Sequence, residues 1–262
     1  REMEIDITID LAVYTGQNRL EIFAMRTAPI QINYLGFPGT SGADYFDYII
    51  ADQVLIPQDD QRYYSEKIIY LPSFQANASS RPSPSTLFTR QDLGLPKTGF
   101  IFCCFNNANK YNPSIFDSWV NILSKVDDSI LLLFADNESV KINLKKEITT
   151  RGIEHTRLFF GDRLAFPEYL ARYKVVDLFL DTVPFNAGTT CSDALQSGLP
   201  VLTCKGKIFA GRMGSSLLSA VNIPELITTN LEQYESLAIE LANNPERLKA
   251  IKDKLDKNLS TT

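Results

Sequence analysis

The chain has 262 residues, 44% hydrophobic and 22% charged, enough to close a core over one large α/β domain or two small ones. Its 31 acidic residues outnumber 26 basic ones, for a net charge of −5, which excludes a general nucleic-acid or anionic-membrane binder because those need a basic field. A nucleotide is still permitted, since a local cluster of donors holds an anion whatever the global sign.

Residues 4–13 largely alternate polar and apolar side chains, the period of a strand with one face buried. Residues 30–35, 48–51 and 67–71 are expected as further short strands. Between the first two of these lies Gly36-Phe-Pro-Gly-Thr-Ser-Gly42, a turn-rich segment whose three glycines permit unusual backbone angles. Residues 74–99 lose all periodicity, and Asn-Ala-Ser-Ser-Arg-Pro-Ser-Pro-Ser-Thr within them has the composition of a linker. The expected organisation is therefore a first lobe at 1–75, a linker at 76–98 and a second lobe at 99–262.

From Gly99 onward strands and helices alternate. Residues 100–105 form an apolar strand, and Asn112-Pro113 starts a helix with proline in its first position. Ile115, Trp119, Ile122 and Leu123 then share one helical face. Strands follow at 130–134, 157–160, 176–180 and 200–203. Helices are expected at 138–151, 167–173, about 190–197 and near 211–221, with two polar helices to the end. Continuous apolar strands separated by helices indicate a parallel sheet covered on both faces. Such sheets bind ligands beyond the carboxyl ends of their strands.

Two loops lie at that edge. In Leu180-Asp-Thr-Val-Pro-Phe-Asn-Ala-Gly-Thr-Thr-Cys-Ser-Asp-Ala-Leu195 a strand gives way to a loop, and Thr189 and Thr190 begin a helix. A helix N-terminus offers unpaired N–H groups and a positive dipole end to a pyrophosphate. Gly188 would let the backbone approach the phosphates, and Asp193 could accept from a ribose hydroxyl. Plain helix capping by threonine, with Asp favouring the first turn, is the alternative. In Phe102-Cys-Cys-Phe-Asn-Asn-Ala-Asn-Lys110 another strand enters a polar loop, where Asn106, Asn107 and Lys110 offer amide donors and a cation to a phosphate. A solvated loop lysine is the bland alternative there.

Cys103, Cys104, Cys191 and Cys204 show no C-x-x-C spacing and are expected as small buried side chains in a reducing compartment. His155, the one histidine, sits in a polar stretch and is expected in a surface loop. No apolar run approaches the ~20 residues of a membrane span, and the charged opening is unlike a signal peptide. The expectation is a cytoplasmic protein. The start without an initiator Met, directly into strand alternation, suggests a piece of a longer one.

Several motifs together carry a family resemblance. Ala28-Pro-Ile-Gln-Ile-Asn-Tyr-Leu-Gly-Phe-Pro-Gly-Thr-Ser-Gly-Ala43, Tyr64-Ser-Glu-Lys67 and the Phe-Asn-Asn-x-x-Lys110 loop resemble the catalytic region of O-GlcNAc transferases. Asp177-Leu-Phe-Leu-Asp-Thr182, the Thr189-Thr-x-x-Asp193 turn, Ser197-Gly-Leu-Pro-Val-Leu-Thr203 and Phe209-Ala-Gly-Arg212 continue the match in colinear order. The resemblance implies the GT-B fold, two Rossmann-like domains. Here it implies the C-terminal one, which binds the donor, plus the end of the N-terminal, acceptor-side one. It implies inverting transfer of N-acetylglucosamine from UDP-GlcNAc to Ser/Thr of proteins, with no metal or other cofactor. It also implies a missing remainder of the N-terminal lobe and upstream tetratricopeptide repeats as partners. By the same resemblance Lys110 binds the donor diphosphate and stabilises departing UDP, with Asn107 beside it. Thr189 and Thr190 match the phosphate-binding pair, Asp193 the ribose ligand, Arg172 an arginine flanking the nucleotide. Pro38 and Gly39 fall in the loop facing sugar and acceptor. Gly188 and Tyr169 stand where the family usually has histidines; Tyr169 could still stack on a base. Two alternatives follow: a SPINDLY-type enzyme using GDP-fucose, and a nucleotide-binding or interaction domain without catalysis.

Overall fold

The computed structural model describes residues 4–75 and 87–260. Four short parallel strands, β1 (Ile7–Asp10), β2 (Ile30–Asn33), β3 (Tyr48–Ala51) and β4 (Lys67–Tyr70), form a sheet in chain order, with the single-turn helix α1 (Leu20–Ala24) between the first two. The second sheet holds six parallel strands: β5 (Ile101–Cys104), β6 (Ile130–Phe134), β7 (Leu158–Gly161), β8 (Leu178–Leu180), β9 (Val201–Cys204) and β10 (Ile227–Thr228). Their order across the sheet is β10-β9-β8-β5-β6-β7. The chain thus builds outward from β5 to β7, then returns to the other side of β5 and builds outward again. Parallel sheets place their crevice where the direction reverses, so the loops following β5 and β8 lie at the ligand-binding edge.

Helices α2 (Pro113–Lys125), α3 (Glu138–Thr150), α4 (Phe166–Arg172), α5 (Thr189–Gln196), α6 (Met213–Ala220), α7 (Leu231–Asn243) and α8 (Pro245–Leu259) connect these strands. Apart from the first strand, the expected elements match in type, with ends shifted by a residue or two. Helix α2 shows why. The Asn112 side chain accepts from the Ile115 N–H, Pro113 opens the first turn, and Ile115, Trp119, Ile122 and Leu123 are buried. Strand β5 is inaccessible along its whole length, as a strand covered on both faces must be. Two elements escaped the sequence. Helix α1 is too short for a period, and β10 is a two-residue edge pairing with Thr203 and Cys204.

The first strand departs from expectation. It is confined to 7–10, and its apolar side is the open one, with Ile7 50% and Ile9 47% exposed while Asp10 is buried. The alternation is real but its apolar face meets no core among the described residues. The glycine turn also differs: of Gly36, Gly39 and Gly42 only Gly42 has a left-handed φ, +67°. Gly36 is required for space, because a Cβ there would lie 2.1 Å from the Leu11 carbonyl oxygen.

Of the residues expected as a linker, 76–86 lie outside the described residues. Beyond them Arg90 pairs with Asp177 at 2.8 Å and Leu95 is buried in the larger core. The two sheets meet through side chains as well. Phe209, which follows β9, packs into the small core of Ile49, Ala51, Leu55, Ile56 and Phe74. Ser216 donates to the buried Asp52 carboxylate at 2.5 Å, and Arg212 pairs with Asp60 at 2.6 Å. No described helix is long and apolar enough to cross a membrane.

Candidate functional site

At the switch point the loop after β5 turns through Asn106, Asn107 and Lys110. Asn106 is buried, and its amide donates to Thr182 Oγ1 at 2.8 Å and Asp181 Oδ1 at 3.3 Å, tying this loop to the one after β8. Asn107 is exposed, and its side-chain oxygen accepts from the Asn109 N–H, capping a short turn that carries Lys110. The Lys110 ammonium donates to the Asn186 carbonyl at 2.9 Å and lies 3.8 Å above the Phe185 ring centre. This is no solvated loop lysine. Burial draws its pKa below the ordinary value, and the nearby Asp181 opposes that shift.

Asp181, at the carboxyl end of β8, has no exposure at all. Its Oδ1 accepts from the Ala187 N–H at 2.7 Å and the Thr182 N–H at 2.8 Å, and its Oδ2 accepts from Thr203 Oγ1 at 2.7 Å. Burial pushes its pKa up to about 6 against those hydrogen bonds. One carboxylate thus fixes the ends of β8 and β9 and the loop leading to α5. The Leu180-Asp-Thr string carried a signal for it, a charged residue directly after an apolar run, but the same pattern marks ordinary turns.

Helix α5 begins after Gly188, and no side chain caps it. Thr189 is exposed and Thr190 half-buried, and the first turn holds no acidic residue, so the capping alternative is not what this end displays. Its N–H groups are left to whatever anion approaches. Gly188 has an ordinary φ of −99°. A Cβ there would lie 2.4 Å from Met213 Cε, the end of a flexible side chain that can move aside. Asp193, one turn in, is buried and sits beside Tyr169.

Arg172 is not an open cation. It is buried, donates from Nη1 to the Asp162 carbonyl at 2.9 Å, and stacks its guanidinium 3.9 Å from the Phe105 ring centre. Burial lowers its pKa, a cost the ring face partly offsets. Tyr169 shares a hydroxyl hydrogen bond with Tyr173, which also reaches the Thr190 carbonyl at 3.3 Å, so both tyrosines lean on the start of α5. Phe105, Tyr169 and Arg172 border a cavity of about 200 Å³ that also touches Phe134 and Leu164. Phe105 and Tyr173 were not singled out from the sequence, since aromatic residues in apolar runs look like core.

Pro38 and Gly39 stand apart from these groups, in the loop between β2 and β3 of the first sheet. With Thr40 they line a cleft of about 340 Å³ together with Lys207, Ile208 and Phe209, which follow β9 of the second sheet. That far wall backs onto the loop before α5, because the Asn186 N–H donates to the Ala210 carbonyl at 2.9 Å. The four cysteines are buried and free, and His155 is exposed in a short turn, as expected.

The sequence matches the model of glycosyl transferase family 41 over residues 1–77 and 73–262. It is 36% identical over 259 residues to a protein of Arabidopsis thaliana named probable UDP-N-acetylglucosamine–peptide N-acetylglucosaminyltransferase SEC, covering 96% of this chain and 26% of that protein. A relative from Eustoma exaltatum subsp. russellianum, named probable UDP-N-acetylglucosamine–peptide N-acetylglucosaminyltransferase SPINDLY, is 32% identical over 249 residues, 93% of this chain and 27% of the relative. Among solved structures, a lysine-to-methionine mutant of the Thermobaculum terrenum O-GlcNAc transferase superposes with a TM-score of 0.89 at 31% identity, over 99% of this chain and 49% of that one. WaaG, a glycosyltransferase involved in lipopolysaccharide biosynthesis, shares the fold at TM-score 0.54 and 14% identity, over 93% of this chain and 76% of its own. The chain spans about a quarter of the length of the curated relatives it matches.

Proposed function

The chain belongs to glycosyl transferase family 41, and from that premise we propose that it forms the donor-binding lobe and one wall of the acceptor cleft of a protein O-GlcNAc transferase. The reaction is inverting transfer of N-acetylglucosamine from UDP-GlcNAc to a Ser or Thr hydroxyl, without a metal. One observation carries the proposal: a half-buried lysine and an uncapped helix N-terminus converge at the switch point of a parallel sheet.

Lys110 exchanges the Asn186 carbonyl for the donor diphosphate and offsets the charge that builds on departing UDP. Asn107 stands beside it. The N–H groups of Thr189 and Thr190 take the other phosphate oxygens, with the dipole of α5 behind them. Asp193 accepts from the ribose, Tyr169 stacks on the base, and Arg172 backs that cavity from beneath. Pro38 and Gly39 face the sugar and the acceptor hydroxyl. These groups are preorganised by Asn106 and Asp181, so little reorganisation accompanies the charge movement.

Removing a group of this kind typically slows an enzyme by about 10²–10³. Lys110→Met in the full-length protein is expected to lower kcat for glycosylation of a Ser/Thr peptide by that range. A loss below about tenfold would remove Lys110 from this role, given that scale. Titrating UDP-GlcNAc and GDP-fucose side by side settles the donor, and tighter binding of the fucose donor would reassign it.

A further inference from the structure

The cluster around Glu66 lies at the first sheet, away from Lys110 and α5. Glu66 directly precedes β4 and is 4% exposed. Four donors converge on its carboxylate. Oε1 accepts from the Ser41 N–H at 2.7 Å and from Asn33 Nδ2 at 3.3 Å. Oε2 accepts from Thr40 Oγ1 at 2.6 Å and from Ser65 Oγ at 3.1 Å. Asn33 Nδ2 also donates to the Gly39 carbonyl at 3.1 Å. One buried charge therefore grips the loop at Gly39, Thr40 and Ser41.

The cluster requires an acceptor at both oxygens of residue 66. A hydroxyl has one proton and two lone pairs. The Gly42 N–H at 3.1 Å and the Ser65 N–H at 3.3 Å both point to Thr40 Oγ1, leaving its proton for Glu66. A carboxamide in place of the carboxylate turns an NH₂ either on Thr40 Oγ1, whose lone pairs are taken, or on the Ser41 N–H. Neither orientation keeps the four contacts.

Thr40 and Gly39 line the cleft shared with Lys207 and Phe209, and so does Tyr64, two residues before Glu66. We infer that Glu66 is a positioning residue for acceptor binding: its carboxylate holds the 38–41 loop in the shape that receives the acceptor peptide. This rests on the assignment of that cleft to the acceptor side. A brace for the fold alone would lower stability and leave acceptor affinity unchanged.

The test compares Glu66→Gln and Thr40→Val with the parent, all at full length, by peptide-acceptor kinetics and by titration with UDP alone. Losing a hydrogen bond to a charged group is worth about tenfold or more, so the peptide KM is expected to rise about tenfold in both variants. The UDP Kd is expected to stay within about twofold, because its ligands lie at the second sheet. Thr40→Val decides alone if Glu66→Gln does not fold, since Thr40 is half-buried on a loop. A peptide KM in Thr40→Val within about twofold of the parent, against that tenfold scale, overturns the inference. A UDP Kd that moves by the same factor as the KM overturns it equally. A parent that transfers no sugar to peptide overturns the glycosyltransferase assignment itself, and this inference with it.

Discussion

Asp181 ionises at a cost. Its pKa is pushed from 3.8 up to about 6 by burial, so the folded state holds its proton more tightly than the unfolded chain does. The sign follows directly: this group's stabilising contribution is full below the unfolded value of 3.8 and is lost as pH rises through about 6. Asn at this position keeps an oxygen for the Thr182 and Ala187 N–H groups and can donate to Thr203 Oγ1, so the geometry survives without the charge. Asp181→Asn is therefore expected to gain about 3 kcal/mol on the parent between roughly pH 4 and pH 8. Urea denaturation across that range measures it, and a constant difference would contradict the assignment. The residue also shows what sequence conveys at this scale. Lys110 and the 186–193 turn were legible because each follows a strongly apolar strand. Asp181 follows an apolar strand too, but it and Glu66 were passed over, because an acidic residue at a strand end or in a loop looks solvated until the structure shows it buried among donors.

At the scale of elements, two glycines make a useful contrast. Gly99, just before β5, has φ +91°, and a Cβ there would lie 2.0 Å from the Asp128 carbonyl oxygen. Gly152, after α3, has φ +85° with nothing within 4 Å of a Cβ. Alanine at Gly152 meets backbone strain alone, about 1 kcal/mol. Alanine at Gly99 must also displace a main-chain carbonyl at the head of the central strand, and is expected to cost about 3 kcal/mol or more. Chemical denaturation should show a larger drop in midpoint for Gly99→Ala, and equal drops would refute the steric argument. Most elements were legible because buried strands and amphipathic helices are written in hydrophobic period. The period gave β1 its place but not its environment, since alternation does not say which face meets a core.

Over the whole molecule, buried and half-buried side chains join the two sheets among the described residues. Arg212 donates to Asp60 at 2.6 Å and to the Leu55 carbonyl at 3.1 Å, and its side chain is 12% exposed. Arg212→Ala leaves Asp60 and that carbonyl without their partner, and breaking such a pair is commonly worth a few kcal/mol. Hydrogen exchange is expected to quicken about ten- to hundredfold at 52–56 and 209–216, with β5 and β6 amides unchanged. Uniform acceleration would mean that the pair supports the whole fold rather than the contact between sheets.

The parallel α/β architecture of residues 99–260, the family resemblance and the two loops that carry Lys110 and Thr189 are all readable along the chain. Those depend on local period and on motifs contiguous in the chain. It took the folded arrangement to show that Asn106 and Asp181 lock these loops together, that Arg172 is a buried support, and that Glu66 grips the 38–41 loop. Each of these joins residues distant in sequence, and their partners exist only once strands from separate parts of the chain lie side by side.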